Sequence, residues 1–367
     1  MREAMTDADY MRLAVRLGRR GLGRSSSPVG AVVVAKGRVV GRGFHRRDGA
    51  PHAEVEALHA AGAHSRGATL YVTLEPCNHH GRTPPCTDAV LASGVRRVVF
   101  GLRDPNPRVR GGGAARLRRR GIAIESGVEA AACAELIAGF STVARLGRPL
   151  VALKLAASLD GRIASRTGAA RWITGAAARR AVHRLRDEYD AVMVGAGTVI
   201  ADDPALTCRR PRGRDPLRVV VDGRLRVPLS ARVLTNAAAP GTLLATTMQT
   251  GRKLATLRQR GVSVLALPGR KGVLSLRRLL ARLAQRGVTS VLIEGGATLA
   301  AAALRERVVD RLFVFVAPKL IGGDGVPMLG PLGVSAMGDA LGVRVLGISR
   351  LGADWLVRAV PGDADAV

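Results

Sequence analysis

Residues 69–102, TLYVTLEPCNHHGRTPPCTDAVLASGVRRVVFGL, decide the fold of the first part of the chain. TLYVTL is rich in β-branched and aromatic side chains, the composition of a strand. CTDAVLASG follows Pro84-Pro85 and ends on Gly94, the punctuation of a short helix. RRVVFGL is a second apolar strand. In this order the three segments form a βαβ unit with parallel strands. Neighbouring segments extend the alternation. A helical pattern over 8–20 leads to VGAVVVA and RVVGRGF, joined by Lys36-Gly37, a two-residue hairpin signal. AEVEALHAAG reads as a helix. Beyond residue 102 come a helix near 113–120, strand GIAIES and a helix over 129–144. An α/β layer domain is expected, its sheet largely parallel after the first hairpin.

Gly147 and Pro149 interrupt this pattern, and at 367 residues two domains are the default, here 1–146 and 147–367. The second domain is also α/β. Strands LVALKLAAS, DAVMVG, LRVVVD, GTLLAT, GVSVLAL and TSVLIEGG alternate with helices near 175–187, 251–260, 274–287 and 297–306. RLFVFVAPKL, VRVLGISRL and WLVRAV are expected as antiparallel strands.

The formal net charge is +29 and comes almost wholly from arginine, since the lysines are Lys36, Lys154, Lys253, Lys271 and Lys319. Such charge attracts polyanions. Aromatic residues, however, are 3% of the chain and leave few platforms for stacking bases. The densest run, RLRRR at 116–120, falls on an expected amphipathic helix. Nucleic acid is therefore disfavoured as a partner, and anionic small molecules are favoured. MREAMTDADY lacks the apolar stretch of a signal peptide, and no run approaches the roughly 18 apolar residues of a membrane span. A cytoplasmic protein with no membrane partner is expected. Four cysteines are too few for a disulfide scaffold. Cys133 and Cys208 stand alone and read as packing residues; the close pair Cys77 and Cys86 points to metal or catalysis.

EPCNHHGRTPPC (75–86) offers four ligand candidates: Cys77, His79, His80 and Cys86. A further one lies upstream, where His52-Ala53-Glu54 opens a helix after Pro51. One histidine and two cysteines leave zinc's fourth tetrahedral position to water, the catalytic arrangement; structural sites are closed by four protein ligands. Glu54 then carries a proton from the water to a departing amine. H-x-E followed by P-C-x-x-C is the signature of zinc nucleobase deaminases. Here eight residues, not two, separate the cysteines.

HAEVEAL (52–58), TLEPCNHHGRTPPCTDAV (73–90) and DPNPRVRGGG (104–113) resemble the deaminase half of the bifunctional deaminase–reductase family of riboflavin biosynthesis. The resemblance continues through the second half. It implies a cytidine-deaminase-like α/β/α domain holding one Zn2+ on His52, Cys77 and Cys86, with Glu54 catalytic. The stretch between the cysteines becomes a substrate loop, in which His79 and Arg82, with Ser26 and His45, contact a pyrimidine and its ribose phosphate. Ser26 stands where the family usually has asparagine.

For the second domain the resemblance implies a dihydrofolate-reductase-like fold that uses NADPH. Lys154 and Asp202 are then catalytic. Ala170, Arg186, Leu206, Arg209 and Glu294 line the substrate side. Ala156, Trp172, Thr198, Asp202, Gly223, Gly296, Ala297, Thr298, Leu299, Ala300, Ala301 and Ala302 line the cofactor side. The residues themselves say less. No G-x-G-x-x-G follows a strand. Gly195-Ala196-Gly197-Thr198 reads equally as a tight turn. Glu294-Gly295-Gly296 ends a strand and opens a helix, whose amides can hold a phosphate. Lys154 sits in an apolar strand, where a lysine polarises a reacting centre or snorkels. Two positions depart from the family: Ala170 replaces a serine, and Gly223 replaces a small polar residue.

The implied activities are zinc-dependent hydrolytic deamination of 2,5-diamino-6-ribosylamino-4(3H)-pyrimidinone 5′-phosphate, then NADPH-dependent reduction of the ribosyl group of 5-amino-6-(5-phosphoribosylamino)uracil to ribityl. The alternative is a paralogue with an active deaminase and an impaired reductase. The partners are phosphorylated pyrimidines, and a homo-oligomer is expected.

Overall fold

The computed structural model describes residues 5–106, 112–235 and 237–362. Residues 107–111 of the DPNPRVRGGG segment lie outside them. Two compact units form, Met1–Gly147 and Arg148–Val367.

The first unit begins with α1 (Asp7–Gly18). Thr6 and Asp9 close its start reciprocally: the Thr6 hydroxyl accepts the Asp9 N–H, and the Asp9 carboxylate accepts the Thr6 N–H. Strands β1 (Gly30–Ala35) and β2 (Arg38–Phe44) follow as an antiparallel hairpin. Lys36 and Gly37 at its tip have φ of 49° and 73°, the pair of positive values that a type I′ turn requires. Next come α2 (Ala53–Ala61), β3 (Thr69–Leu74), α3 (Cys86–Ser93), β4 (Arg97–Leu102), α4 (Gly113–Arg119), β5 (Ala123–Ser126), α5 (Ala130–Leu136) and α6 (Ala138–Leu146). The sheet order is β2-β1-β3-β4-β5, with β3, β4 and β5 parallel as expected. One expectation needs correction: the helix over 129–144 is two helices, meeting at Ile137, whose φ of −100° and ψ of 16° leave the helical range.

The uninterrupted apolar run of β1 is explained by burial on both faces. Ala31 and Val33 face Ala57, Val90 and Leu117, while Val32 and Val34 face Met11, Ala14 and Cys133. Helices therefore cover both sides of the sheet, and α2 and α3 lie on the same side.

The second unit comprises β6 (Leu150–Ser158), β7 (Arg162–Ala164), α7 (Ala176–Glu188), β8 (Ala191–Gly195), α8 (Ala196–Asp202), β9 (Leu217–Val221), β10 (Thr242–Thr246), α9 (Arg252–Gln259), β11 (Ser263–Ala266), β12 (Gly269–Arg270), β13 (Val273–Leu274), α10 (Leu276–Gln285), β14 (Ser290–Glu294), α11 (Ala297–Arg305), β15 (Arg311–Ala317), β16 (Val326–Pro327), β17 (Val343–Leu351) and β18 (Asp354–Pro361). Nine of these strands form one sheet, ordered β11-β10-β9-β8-β14-β6-β15-β18-β17. From β11 to β15 every neighbouring pair is parallel. RLFVFVA was expected to be antiparallel throughout, but as β15 it runs parallel to β6, because the helical crossover α11 returns the chain to the end where β14 began. β18 is the strand that reverses direction, pairing antiparallel with β15 and β17. No helix among the described residues is long and apolar enough to cross a membrane.

Candidate active sites

In the first unit Pro51 delivers His52, in extended conformation, to the N-cap of α2, so Glu54 falls in the first helical turn. Cys77 follows β3, and Cys86 is the first residue of α3. The Cys86 N–H donates to the Cys77 Sγ (3.3 Å) and the Thr87 N–H to the Cys77 carbonyl (3.2 Å), which ties the two cysteines together across their loop. His52 Nδ1 lies 3.2 Å from Cys86 Sγ and 3.6 Å from Cys77 Sγ. The three ligand atoms are all within 4.8 Å of one another. Zinc–ligand bonds of about 2.0–2.3 Å place tetrahedral donor pairs roughly 3.5–4 Å apart, so this donor set fits zinc. His79 and His80 do not belong to it.

The other ring nitrogen of His52, Nε2, is 3.3 Å from Thr83 Oγ1. A histidine ligand that donates its second N–H is fixed in orientation and tautomer. Thr83→Val is therefore expected to weaken zinc binding about 10- to 100-fold, read by competition with a chelator.

Glu54 is buried, and burial, with the charge at Cys77 adding to it, pushes its pKa up to about 7. Hydrogen bonding from Cys86 pulls the Cys77 thiol down, whereas Cys77 and burial push Cys86 up. A cavity of about 200 Å³ opens over this group and is lined by His45, His52, Glu54, Cys77 and His79 among others. His45 Nδ1 is 2.7 Å from the Ser25 hydroxyl and 3.1 Å from the Ser27 carbonyl. Its Nε2 is buried with no hydrogen-bond partner among the described residues, and burial lowers its pKa, favouring the neutral ring. Of the other expected contacts, Ser26 spends its N–H and hydroxyl on Asp48 (2.9 and 2.8 Å), and Arg82 is exposed; neither lines the cavity. The sequence reading missed Ser27, Asp104, Asn106 and Phe140, which do. The signal for Asp104 and Asn106 was their position just past the C-terminal end of β4, where ligands sit in open α/β sheets.

In the second unit the parallel register of β14 and β6 sets Glu294 beside Lys154. Arg186, from α7, holds Glu294 through two bonds, Nε to Oε1 (2.6 Å) and Nη2 to Oε2 (2.9 Å), and its Nη1 donates to the Thr207 carbonyl (3.0 Å). Burial alone would raise the Glu294 pKa, but the charges of Arg186 and Lys154 outweigh it and hold it low. Burial pushes the Lys154 ammonium below the usual lysine value.

A cleft of about 670 Å³ lies beyond the C-terminal ends of β8, β9 and β14. It gathers Ala170, Thr198, Asp202, Gly223, the stretch Gly296–Leu299 and Ala302. Other expected members are elsewhere. Ala300 and Ala301 are buried in the core, because successive helical residues turn by about 100° and only part of α11 can face the cleft. Ala156 is not on the wall. Trp172 is not on it either; it is 61% exposed, with the Arg179 guanidinium 4.5 Å from its ring centre. Lys154, Arg186, Glu294, the buried Leu206 and the exposed Arg209 also lie off the cleft wall. The Arg209 N–H donates to His183 Nδ1 (3.3 Å), so His183 braces that loop.

The glycine at 223 has a steric reason. A Cβ there would sit 1.9 Å from the Gly272 carbonyl oxygen. Gly272 belongs to the turn between β12 and β13, a hairpin that the sequence reading passed over although Lys271-Gly272 repeats the Lys-Gly signal of the first one, again with positive φ (52° and 78°). Gly223→Ala is expected to displace this hairpin and cost about 1–3 kcal/mol, read from the unfolding midpoint.

Known proteins agree with both units. Residues 4–102 match the cytidine and deoxycytidylate deaminase zinc-binding region, and residues 149–357 match the RibD C-terminal domain. The riboflavin biosynthesis protein RibD of Aquifex aeolicus is 43% identical over 354 residues, covering 96% of this chain and 97% of that protein. RibD of Escherichia coli is 41% identical over 372 residues, with coverage of 97% and 100%. Among solved structures, Acinetobacter baumannii RibD matches with a TM-score of 0.87 at 38% identity, covering 97% of this chain and 99% of that one. The first unit is thus the zinc domain and the second the NADPH-using reductase domain. With relatives above 40% identity aligned nearly end to end, the chain belongs to the RibD family, bifunctional deaminase–reductases of riboflavin biosynthesis.

Proposed function

We propose that the first unit hydrolytically deaminates 2,5-diamino-6-ribosylamino-4(3H)-pyrimidinone 5′-phosphate, and that the second reduces the ribosyl group of the resulting 5-amino-6-(5-phosphoribosylamino)uracil to ribityl with NADPH. The observation that carries the first step is a buried Glu54 in the cavity formed over three zinc-ligand side chains. Zinc, when bound, supplies Lewis acidity that brings the pKa of water near neutrality. His52, Cys77 and Cys86 would hold it. Glu54, with a pKa near 7, is suited both to take a proton from water and to give it to the leaving ammonia. His45 offers the unpartnered Nε2 as an acceptor for a ring or exocyclic N–H. His79, on the cavity wall, and Arg82, on the exposed part of the same loop, are assigned to the pyrimidine and the phosphate.

In the second unit the cleft is assigned to the cofactor. NADPH, when bound, supplies the hydride that reduces the ribose C1′. Lys154, its pKa lowered by burial, would furnish a proton near the reacting centre, and the Arg186–Glu294 pair fixes the charge beside it. Asp202, at the end of α8, faces the cleft. The expected self-association has a candidate surface in the edge strand β17, where Val345, Leu346 and Ile348 are exposed.

Incubation with the diamino substrate tests the scheme. Without NADPH, ammonia and the ribosyl uracil should accumulate; with NADPH, the ribityl product should form with one NADPH oxidised per turnover. If the ribosyl uracil persisted despite NADPH, the impaired-reductase reading motivated by Ala170 and Gly223 would replace this one.

A further inference from the structure

Of the arginines in RLRRR (116–120), Arg118, Arg119 and Arg120 are exposed and Arg116 is half-buried. Arg116 reaches from α4 to the loop that separates the two cysteines. Its Nη1 donates to Asn78 Oδ1 and to Thr87 Oγ1 (3.0 Å each), and its Nη2 is 2.7 Å from Asp88 Oδ1. The Thr87 hydroxyl, fully buried, donates in turn to Asn78 Oδ1 (3.0 Å). Asn78 is the residue after Cys77, and Thr87 is the residue after Cys86. One guanidinium therefore joins the chain at the same step beyond each sulfur. The start of α4 also holds the approach to Cys77. Ala114 N–H donates to Glu75 Oε1 (2.9 Å), and a Cβ on Gly113 would fall 1.9 Å from the Pro76 carbonyl oxygen.

The departure in cysteine spacing gives this arrangement its purpose. In the zinc deaminase signature two residues separate the cysteines, and so short a spacer keeps both sulfurs together by itself. Eight residues intervene here, and loop-closure entropy alone brings the ends of the longer spacer together roughly five- to eightfold less often. The backbone bonds from Cys86 and Thr87 to Cys77 close the loop locally. Arg116 adds a tie from a separate helix, through a planar fork whose charge-assisted bonds are stronger and more directional than neutral ones.

We propose that Arg116, through Asn78 and Thr87, is a positioning residue for the metal: it closes the base of the eight-residue loop and keeps the two sulfurs at zinc-binding separation. The part of the loop beyond Asn78, with His79 and Arg82, is thereby left to adapt to substrate without displacing the ligands.

The inference rests on His52, Cys77 and Cys86 being the zinc ligands, and the test separates the two. Zinc affinity of the full chain is measured by competition with a chelator, and the visible spectrum of the Co2+-substituted protein reports the ligand geometry. Arg116→Ala should weaken zinc binding about 5- to 30-fold and alter the Co2+ bands. Asn78→Ala cuts the same tie from the loop side, should do likewise, and decides the matter if R116A does not fold. Arg116→Lys keeps the charge without the fork, so it should resemble R116A. Wild-type affinity in R116K, or an equal loss in R119A, which removes an exposed charge from the same helix, would reduce the effect to charge and overturn the proposal. A lower unfolding midpoint for R116A with unchanged zinc affinity and Co2+ spectrum would overturn it too, leaving Arg116 a packing residue. If Cys86→Ser kept wild-type zinc affinity, the ligand assignment itself would fall; if it lost zinc while R116A and N78A did not, only the positioning role would.

Discussion

Glu54→Gln keeps one zinc per chain and loses ammonia release by roughly 10²- to 10⁴-fold, the usual worth of a positioned acid–base group. The glutamine fills the same buried space and cannot carry a proton. None of the three ligand side chains is altered, so metal analysis should show no loss. The reductase step offers an internal control: NADPH oxidation with the deaminated substrate should continue at the wild-type rate, because it belongs to the second unit. Ammonia release at the wild-type rate would remove Glu54 from the mechanism. Loss of zinc would reassign it to the integrity of the site.

Arg186→Ala should destabilise the second unit by about 3–5 kcal/mol, since it strands the buried Glu294 carboxylate without its bidentate partner. The measurement is convenient. Both tryptophans, Trp172 and Trp355, lie in the second unit, so their fluorescence follows its unfolding in the intact chain. Replacing the pair together, Arg186→Met with Glu294→Leu, should recover much of the stability, because the desolvation of two charges disappears with them. Reductase turnover should not recover. Recovery of both would make the pair a packing device only. The sign of the pH dependence follows from the lowered Glu294 pKa. Its contribution is complete above the ordinary glutamate pKa and is lost as the pH falls through the lower, folded value.

The sequence exposed these features unevenly. Strands such as GAVVVA and the helix starts at Pro51 and Pro85 carry local signals, so the layer architecture and the His52–Cys77–Cys86 group could be read in advance. Strand direction at RLFVFVA could not. It depends on which neighbour the strand finds across the sheet, and nothing within seven residues encodes that. The cleft wall was legible as far as α11 and no farther. Helical phase, which turns Ala300 and Ala301 into the core, is fixed by packing rather than by the glycines that announce the turn. Ser26 and Arg82 show a different limit. Their expected roles came from the family resemblance and not from any local pattern, and what this chain adds is that Ser26 is bonded to Asp48 while Arg82 stands in solvent, off the cavity wall.

The sheet order has a consequence for how the chain is made. The first sheet is finished once Ser126 has been synthesised, whereas β6, the next strand to appear, has both of its partners, β14 and β15, far downstream. At ribosomal speeds of about 5–20 residues per second, roughly seven to thirty seconds separate Ser158, the end of β6, from Glu294, the end of β14. Throughout that interval LVALKLAAS emerges with two open edges and no neighbour, while the deaminase domain can already be folded ahead of it. Until β14 arrives, the nascent reductase depends on whatever keeps that strand from pairing elsewhere.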